Sequence, residues 1–307
     1  MKIIRANVLG FCMGVRRAVD LAYGEIACVQ AASSAGRVYT LGPLIHNPQV
    51  LDELKRRGAE TLDESLLPQN LHNASVIIRA HGVGSTTGAE LRGRGAKVID
   101  ATCPRVKASQ LKAAALAESG YRLFLAGEEY HAEITGVRSY AETGFSRRDT
   151  AYSGAIPFCV VVGSAAEAQE AAAGLFAQDS AAKTALIGQT TISGEEYRAI
   201  GETIRKYFPA LEIIQTICSA TTDRQDSLRE LLGKVEAVII AGGKDSANTR
   251  RLFAIAEAAG KPCALAETAA DIPPGFAVFE TVGLCAGAST PDTAIDEIER
   301  ALELGNS

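Results

Sequence analysis

Three cysteines sit where a strand-like run gives way to a turn. The stretch "NVLGFCMGVRRAVD" holds Cys12 between Gly10 and Gly14, "VIDATCP" carries Cys103 before Pro104, and "IIQTICSATTD" carries Cys218 before Ser219. They fall one in each third of the chain, at intervals of 91 and 115 residues. Val15 to Asp20 reads as the opening of a helix, which puts Cys12 near unpaired N–H groups and the positive end of a dipole that favour its thiolate. A structural cysteine buried in a tight turn satisfies the Cys12 pattern equally well. The other four differ: Cys28 lies in a helix-like stretch, Cys159 and Cys263 fall inside strand runs, and Cys285 precedes "AGAS". These four read as packing. No two of the seven cysteines have C-x-x-C spacing.

The histidines sort in the same way. His46 in "LGPLIHNPQ", His81 in "IRAHGVG" and His131 in "LAGEEYHAEITG" each follow a strand-like run, whereas His72 in "LPQNLHNAS" reads as an exposed loop residue. One loop histidine is commonly structural; three in equivalent places suggest a shared site. Other run ends carry hydroxyl and amide groups: Thr190 and Thr191 in "IGQTTIS", Ser246 and Asn248 in "AGGKDSANT", and Ser289 in "AGASTPD". Each alone is an ordinary N-cap. Together, beside glycines, they suggest a phosphate or diphosphate pocket. "GGKDS" lacks P-loop spacing and "GVGSTTG" misses G-x-G-x-x-G by one residue, so neither an ATP nor a dinucleotide site is supported.

The elements that must position these groups alternate. Ten Val/Ile/Leu-rich runs, from "RVYTLG" to "FETVGLCAG", are separated by Ala-rich amphipathic stretches. Continuous apolar strands between helices indicate parallel sheets covered on both faces, an α/β fold with several small sheets. At 307 residues the chain is long enough for two or three lobes. With 47% hydrophobic residues and a net charge of −5, it does not look like a nucleic-acid binder. The basic clusters Lys55-Arg56-Arg57 and Arg92 with Arg94 read as helix ends capped by Gly58 and Gly95. No apolar run approaches the eighteen or so residues of a membrane span, and "MKIIRANVLGF" is too short and polar for a secretory signal. The expectation is a cytoplasmic protein, where thiols stay reduced.

The sequence resembles the 4-hydroxy-3-methylbut-2-enyl diphosphate reductase (LytB/IspH) family along essentially its whole length. The resemblance rests on "GFCMGVRRAV", "GPLIHNP", "RAHGV", "DATCP", "YHAEITG", "QTT", "CSATTDRQ" and "AGASTPD", in the family's order. It implies three α/β lobes in a pseudo-threefold trefoil, here divided as residues 1–102, 103–214 and 215–307, around one [4Fe-4S] cluster per chain held by Cys12, Cys103 and Cys218. Two-electron, two-proton removal of the hydroxyl of an allylic diphosphate would give isopentenyl and dimethylallyl diphosphate. The electrons would come singly from ferredoxin or flavodoxin. His46, His81, His131, Thr190, Ser246, Asn248 and Ser289 match substrate-binding positions. Glu133 matches the residue that delivers protons, and two residues beyond His131 in an extended segment it would share one face with it. The alternative for Glu133 is a solvated helix-start carboxylate.

Some positions depart from the family pattern. Ala132 replaces a common proline, Ala247 a usual serine, and Asp223 and Asp245 stand where asparagine is frequent. A non-catalytic iron–sulfur sensor and a phosphate-binding α/β protein with structural cysteines are the other readings.

Overall fold

Short apolar strands and helices alternate from end to end, and the computed structural model describes residues 1–32, 36–148 and 158–305. The chain opens with β1 (Lys2–Arg5), α1 (Met13–Ala31), β2 (Arg37–Leu41), α2 (Pro48–Arg56), β3 (Ala59–Leu62), β4 (Ala74–Ile78), α3 (Thr87–Gly93) and β5 (Lys97–Asp100). It continues with α4 (Pro104–Glu118), β6 (Arg122–Ala126), α5 (Ala132–Arg148), β7 (Cys159–Val162), α6 (Ala165–Gln178), β8 (Thr184–Gly188), α7 (Gly194–Arg205) and β9 (Glu212–Ile213). It closes with α8 (Ser219–Leu232), β10 (Ala237–Ala241), α9 (Ala247–Ala258), β11 (Cys263–Ala266), β12 (Thr281–Ala286) and α10 (Asp292–Leu304). No described helix is long and apolar enough to cross a membrane.

The strands form three four-stranded sheets, ordered β1-β12-β10-β11, β3-β2-β4-β5 and β7-β6-β8-β9. Pairings β1–β12, β12–β10, β10–β11, β2–β4, β4–β5, β6–β7, β6–β8 and β8–β9 are all parallel. The period-2 rule explains the unbroken apolar runs. Leu123 and Leu125 of β6 join one buried cluster with Ile134 and Val137, while Phe124 and Ala126 join another with Ile200 and Ile204. In β10, Ile239 packs with Ile295 and Ile298, and Val238 and Ile240 pack with Leu228 and Leu252. Both faces of the inner strands β4, β8 and β10 are covered, so neither face has a polar stripe.

Contacts divide the chain into two units, Met1–Ser33 with Pro43–Thr61 and Ser219–Ser307, and Ser34–Gly42 with Leu62–Cys218. The linear division into three lobes therefore needs correction at its start: β1 pairs with β12, Lys2 opposite Thr281, and so belongs to the sheet of the C-terminal third. The run "LEIIQTIC" was expected as a full strand but yields only two ladder residues. Beyond Ile214, the Thr216 hydroxyl accepts from Gly188 N at 2.9 Å and donates to Gly188 O at 2.8 Å, taking over the bonds that the backbone ladder would make. The basic clusters do end helices: Gly58 and Gly95 follow α2 and α3 with φ of +101° and +91°.

Candidate active site

Each functional candidate lies just beyond the carboxyl end of a strand, where ligands collect in open α/β sheets. Two constellations result, one in each unit.

In the second unit the centre is Glu133. It is not in an extended segment, as the sequence suggested, but is the second residue of α5, and its backbone N–H donates to His131 Nδ1 at 3.2 Å. His131 thus receives an orphan N–H of the helix start through its ring. That contact holds the His131 ring against the backbone of the residue that bears the acid. Nor is the carboxylate solvated: only 1% of Glu133 is exposed. Its Oε1 accepts from Thr190 N at 2.7 Å and its Oε2 from the Thr190 hydroxyl at 2.9 Å. Burial pushes the carboxyl up from 4.5 to about 7, against the pull of the two Thr190 donors. The neutral acid fits the same cradle. Oε1 must accept from the fixed N–H, so the proton resides on Oε2 and the Thr190 hydroxyl turns to accept it.

The same threonine reaches a cysteine loop, because Thr190 O accepts from Cys218 N at 2.9 Å. His81 meets His131 edge to face, with ring centroids 5.2 Å apart. Next to His81, the Ala80 carbonyl accepts from Cys103 N at 2.9 Å. Thus His81, Cys103, His131, Glu133, Thr190 and Cys218 form one bonded neighbourhood. The Thr190 hydroxyl, matched by resemblance to substrate binding, is here a partner of the acid.

In the first unit, Cys12 is the N-cap of α1: its Sγ accepts from Val15 N at 3.5 Å, and its N–H donates to Ala288 O at 3.1 Å. Cys103 is likewise the N-cap of α4, and Cys218 immediately precedes α8. None of the three is in a disulfide, and all are partly exposed. The contrast with the remaining cysteines is chemical. Burial pushes the Cys159 and Cys285 thiols up to about 12, which keeps them protonated, and raises the partly buried Cys263 thiol as well. Cys28, by contrast, is exposed on the side of α1, so the packing role expected for it is corrected.

The hydroxyl and amide groups gather around the start of α9. Ser246 is its N-cap, with Oγ accepting from Thr249 N at 3.3 Å and its own proton left to donate. The Ser289 hydroxyl donates to His46 O at 3.1 Å, tying the "GASTPD" turn to the "LIHNP" loop. Gly243 lies against the same carbonyl, since a Cβ there would stand 2.6 Å from His46 O. Asn248 is 5% exposed, and neither its Oδ1 nor its Nδ2 has a partner. A buried amide with both ends unpaired costs stability unless a ligand completes it.

The departures are mild in place. Ala132 takes the first position of α5, where proline is tolerated and alanine is the best helix former. Ala247 keeps the first backbone N–H of α9. Asp223 and Asp245 are exposed, so their charges are solvated. His72 is exposed, as expected. One residue received no role from the sequence: Arg224, in "CSATTDRQ", is 3% exposed. Its signal was spacing, because Thr221, Arg224, Leu228 and Leu231 lie on the buried stripe of α8.

Residues 3–303 match the family model described as LytB protein. The 4-hydroxy-3-methylbut-2-enyl diphosphate reductase of Treponema denticola is 42% identical over 306 residues, covering 98% of this chain and 99% of the relative. The enzyme of the same name from Aquifex aeolicus is 35% identical, with 98% and 96% covered. A solved structure of (E)-4-hydroxy-3-methyl-but-2-enyl diphosphate reductase, the terminal enzyme of the non-mevalonate pathway, aligns with a TM-score of 0.67 at 35% identity, covering 98% of this chain and 99% of that one. A Plasmodium falciparum reductase structure shares the fold, with a TM-score of 0.81 at 24% identity over 97% of this chain and 86% of that one.

Proposed function

The chain belongs to the LytB protein family, and on that premise we propose that it is a 4-hydroxy-3-methylbut-2-enyl diphosphate reductase. The reaction adds two electrons and two protons to the allylic diphosphate, breaks the C–O bond of its terminal hydroxyl and releases water. The products are isopentenyl and dimethylallyl diphosphate. The observation that carries the reading is Glu133: a buried carboxyl that stays protonated close to neutral pH and is bonded to Thr190, on a residue whose backbone N–H donates to the His131 ring. Hydroxide is a poor leaving group, and an acid poised near the working pH is what its departure needs.

Cys12, Cys103 and Cys218 are the thiolate ligands in this reading. The donor set suits an iron–sulfur cluster: three partly exposed free cysteines, two capping helices and one preceding a third, where helix N-termini offset a cluster's negative charge. Bound there, a [4Fe-4S] cluster supplies electrons singly and, with three cysteine ligands rather than four, one iron open to the substrate hydroxyl. Ser246 donates its free hydroxyl proton to the diphosphate, and Asn248 offers its unpaired amide. The N–H groups at the start of α9 add to the pocket. His46 and His81 also bind substrate. Ser289 must turn from His46 O before its proton can reach the anion. The electron donor is a small one-electron carrier such as ferredoxin or flavodoxin.

The test is anaerobic purification followed by visible absorption, iron and sulfide assay, and turnover of the hydroxylated substrate with a one-electron reductant. The expected result is a brown protein that forms both products. A colourless, iron-free protein points to the phosphate-binding reading. A cluster-bearing protein without turnover points to the sensor.

A further inference from the structure

Arg224 lies on the buried stripe of α8, and its guanidinium is used at two places in the backbone. One nitrogen donates to Gly10 O at 2.5 Å and the other to Ala220 O at 2.7 Å. Gly10 is two residues before Cys12, and Ala220 is two residues after Cys218. The Gly10 turn has little freedom of its own: its φ is +76°, and a Cβ there would stand 3.1 Å from Ile295 Cδ1 and 3.2 Å from Asp292 Oδ1. On its far side the loop is held by the bond from Cys12 N to Ala288 O.

We propose that Arg224 is a positioning residue that clasps the backbone beside Cys12 and beside Cys218 with one rigid guanidinium, setting the spacing at which both thiolates meet the cluster. The proposal rests on the cluster assignment made above. Arginine suits the task because its planar fork presents several N–H groups in fixed directions and stays charged when buried. A lysine of similar reach offers a single nitrogen and can hold one carbonyl well, but not both in fixed register.

The test uses anaerobically purified wild type, Arg224→Gln, Arg224→Lys and Leu228→Ala. Leu228 is fully buried on the same helix, so its truncation loosens α8 without touching either carbonyl. Iron and acid-labile sulfide are measured, then the rate at which an iron chelator bleaches each protein, with thermal midpoints alongside. Arg224→Gln is expected to bleach about tenfold faster than wild type, the scale of one lost hydrogen bond from a charged donor. Arg224→Lys should fall between them, and Leu228→Ala should bleach at the wild-type rate despite a lower midpoint. Equal bleaching of wild type and Arg224→Gln overturns the clasp, as does a Leu228→Ala rate matching that of Arg224→Gln. If Arg224→Gln does not fold, Arg224→Lys decides, and a wild-type rate in it overturns the proposal. A wild type without iron refutes the cluster assignment instead. The clasp is then read from the alkylation rate of Cys12, mapped by mass spectrometry, which Arg224→Gln or Arg224→Lys must raise for the proposal to stand.

Discussion

Replacing Glu133 by Gln tests the buried acid directly. Glutamine fits the cradle without strain: its Oε1 accepts from Thr190 N, and its Nε2 donates to the Thr190 hydroxyl, which turns as it does for the neutral acid. What the substitution removes is the proton equilibrium. The native carboxyl titrates at about 7 against an ordinary 4.5. Between those values the folded chain holds a proton that the unfolded chain gives up. Stability therefore falls as pH rises through that window, by up to about 3 kcal/mol in all. The glutamine variant has no such slope. Urea unfolding of both proteins from pH 4.5 to pH 8 should show the variant gaining about 3 kcal/mol over wild type toward the alkaline end. Infrared difference spectra between the two should show a protonated-carboxyl band at pH 5 that disappears near 7. Turnover should drop about 10²–10⁴-fold, with substrate binding retained. A flat stability difference across this range, or a carboxyl band lost near 4.5, would refute the reasoning.

Three further outcomes are expected. Cys12→Ser, Cys103→Ser and Cys218→Ser should each cut bound iron sharply, while Cys285→Ala keeps the visible spectrum; iron analysis of the purified variants decides. Asn248→Ala should move affinity and stability in opposite directions. Substrate binding weakens by about 1.5–3 kcal/mol if the amide bonds the anion directly, read by titration, whereas the thermal midpoint without substrate rises, because an unpaired buried amide is gone. Gly144→Ala should cost about 1–3 kcal/mol or more in denaturant unfolding, since its Cβ would run into the Ala114 carbonyl where α4 and α5 pack.

Much of this was legible in the sequence because parallel strands covered on both faces leave long apolar runs, and the loops after them carry the chemistry. The strand ends at Ile78, Asp100, Ala126 and Ala241 could be read from composition alone, and with them the places of His81, Cys103, His131 and Ser246. Pairing was less legible. Nothing in "KIIR" says that its partner lies at Thr281, since parallel neighbours need no local turn between them. The run "LEIIQTIC" reads as a strand, but its early end in β9 was not legible, because a side chain, Thr216, replaces the ladder. At Glu133 the residue type and place could be read, but not its burial, which depends on Thr190 arriving from another strand end. Arg224 was hidden for the opposite reason: a charge on a helix is ordinarily solvated, and only the two carbonyls it meets explain its position.

The pairing of β1 with β12 also sets an order of events during synthesis. Residues 62–218 complete nearly all of one unit and can pack while the rest of the chain is still being made. The other unit must wait, since Lys2–Arg5 pair with Thr281–Leu284 and the Cys12 N–H bonds to Ala288. At ordinary ribosomal speed, roughly 15–55 seconds separate the synthesis of Cys12 from that of Ala288. Of the three, Cys12 is the first to leave the ribosome and the last to find its loop fixed. Under the cluster assignment proposed above, iron–sulfur delivery is therefore a step that follows translation, and the nascent Cys12 thiol passes the whole interval before its loop is fixed.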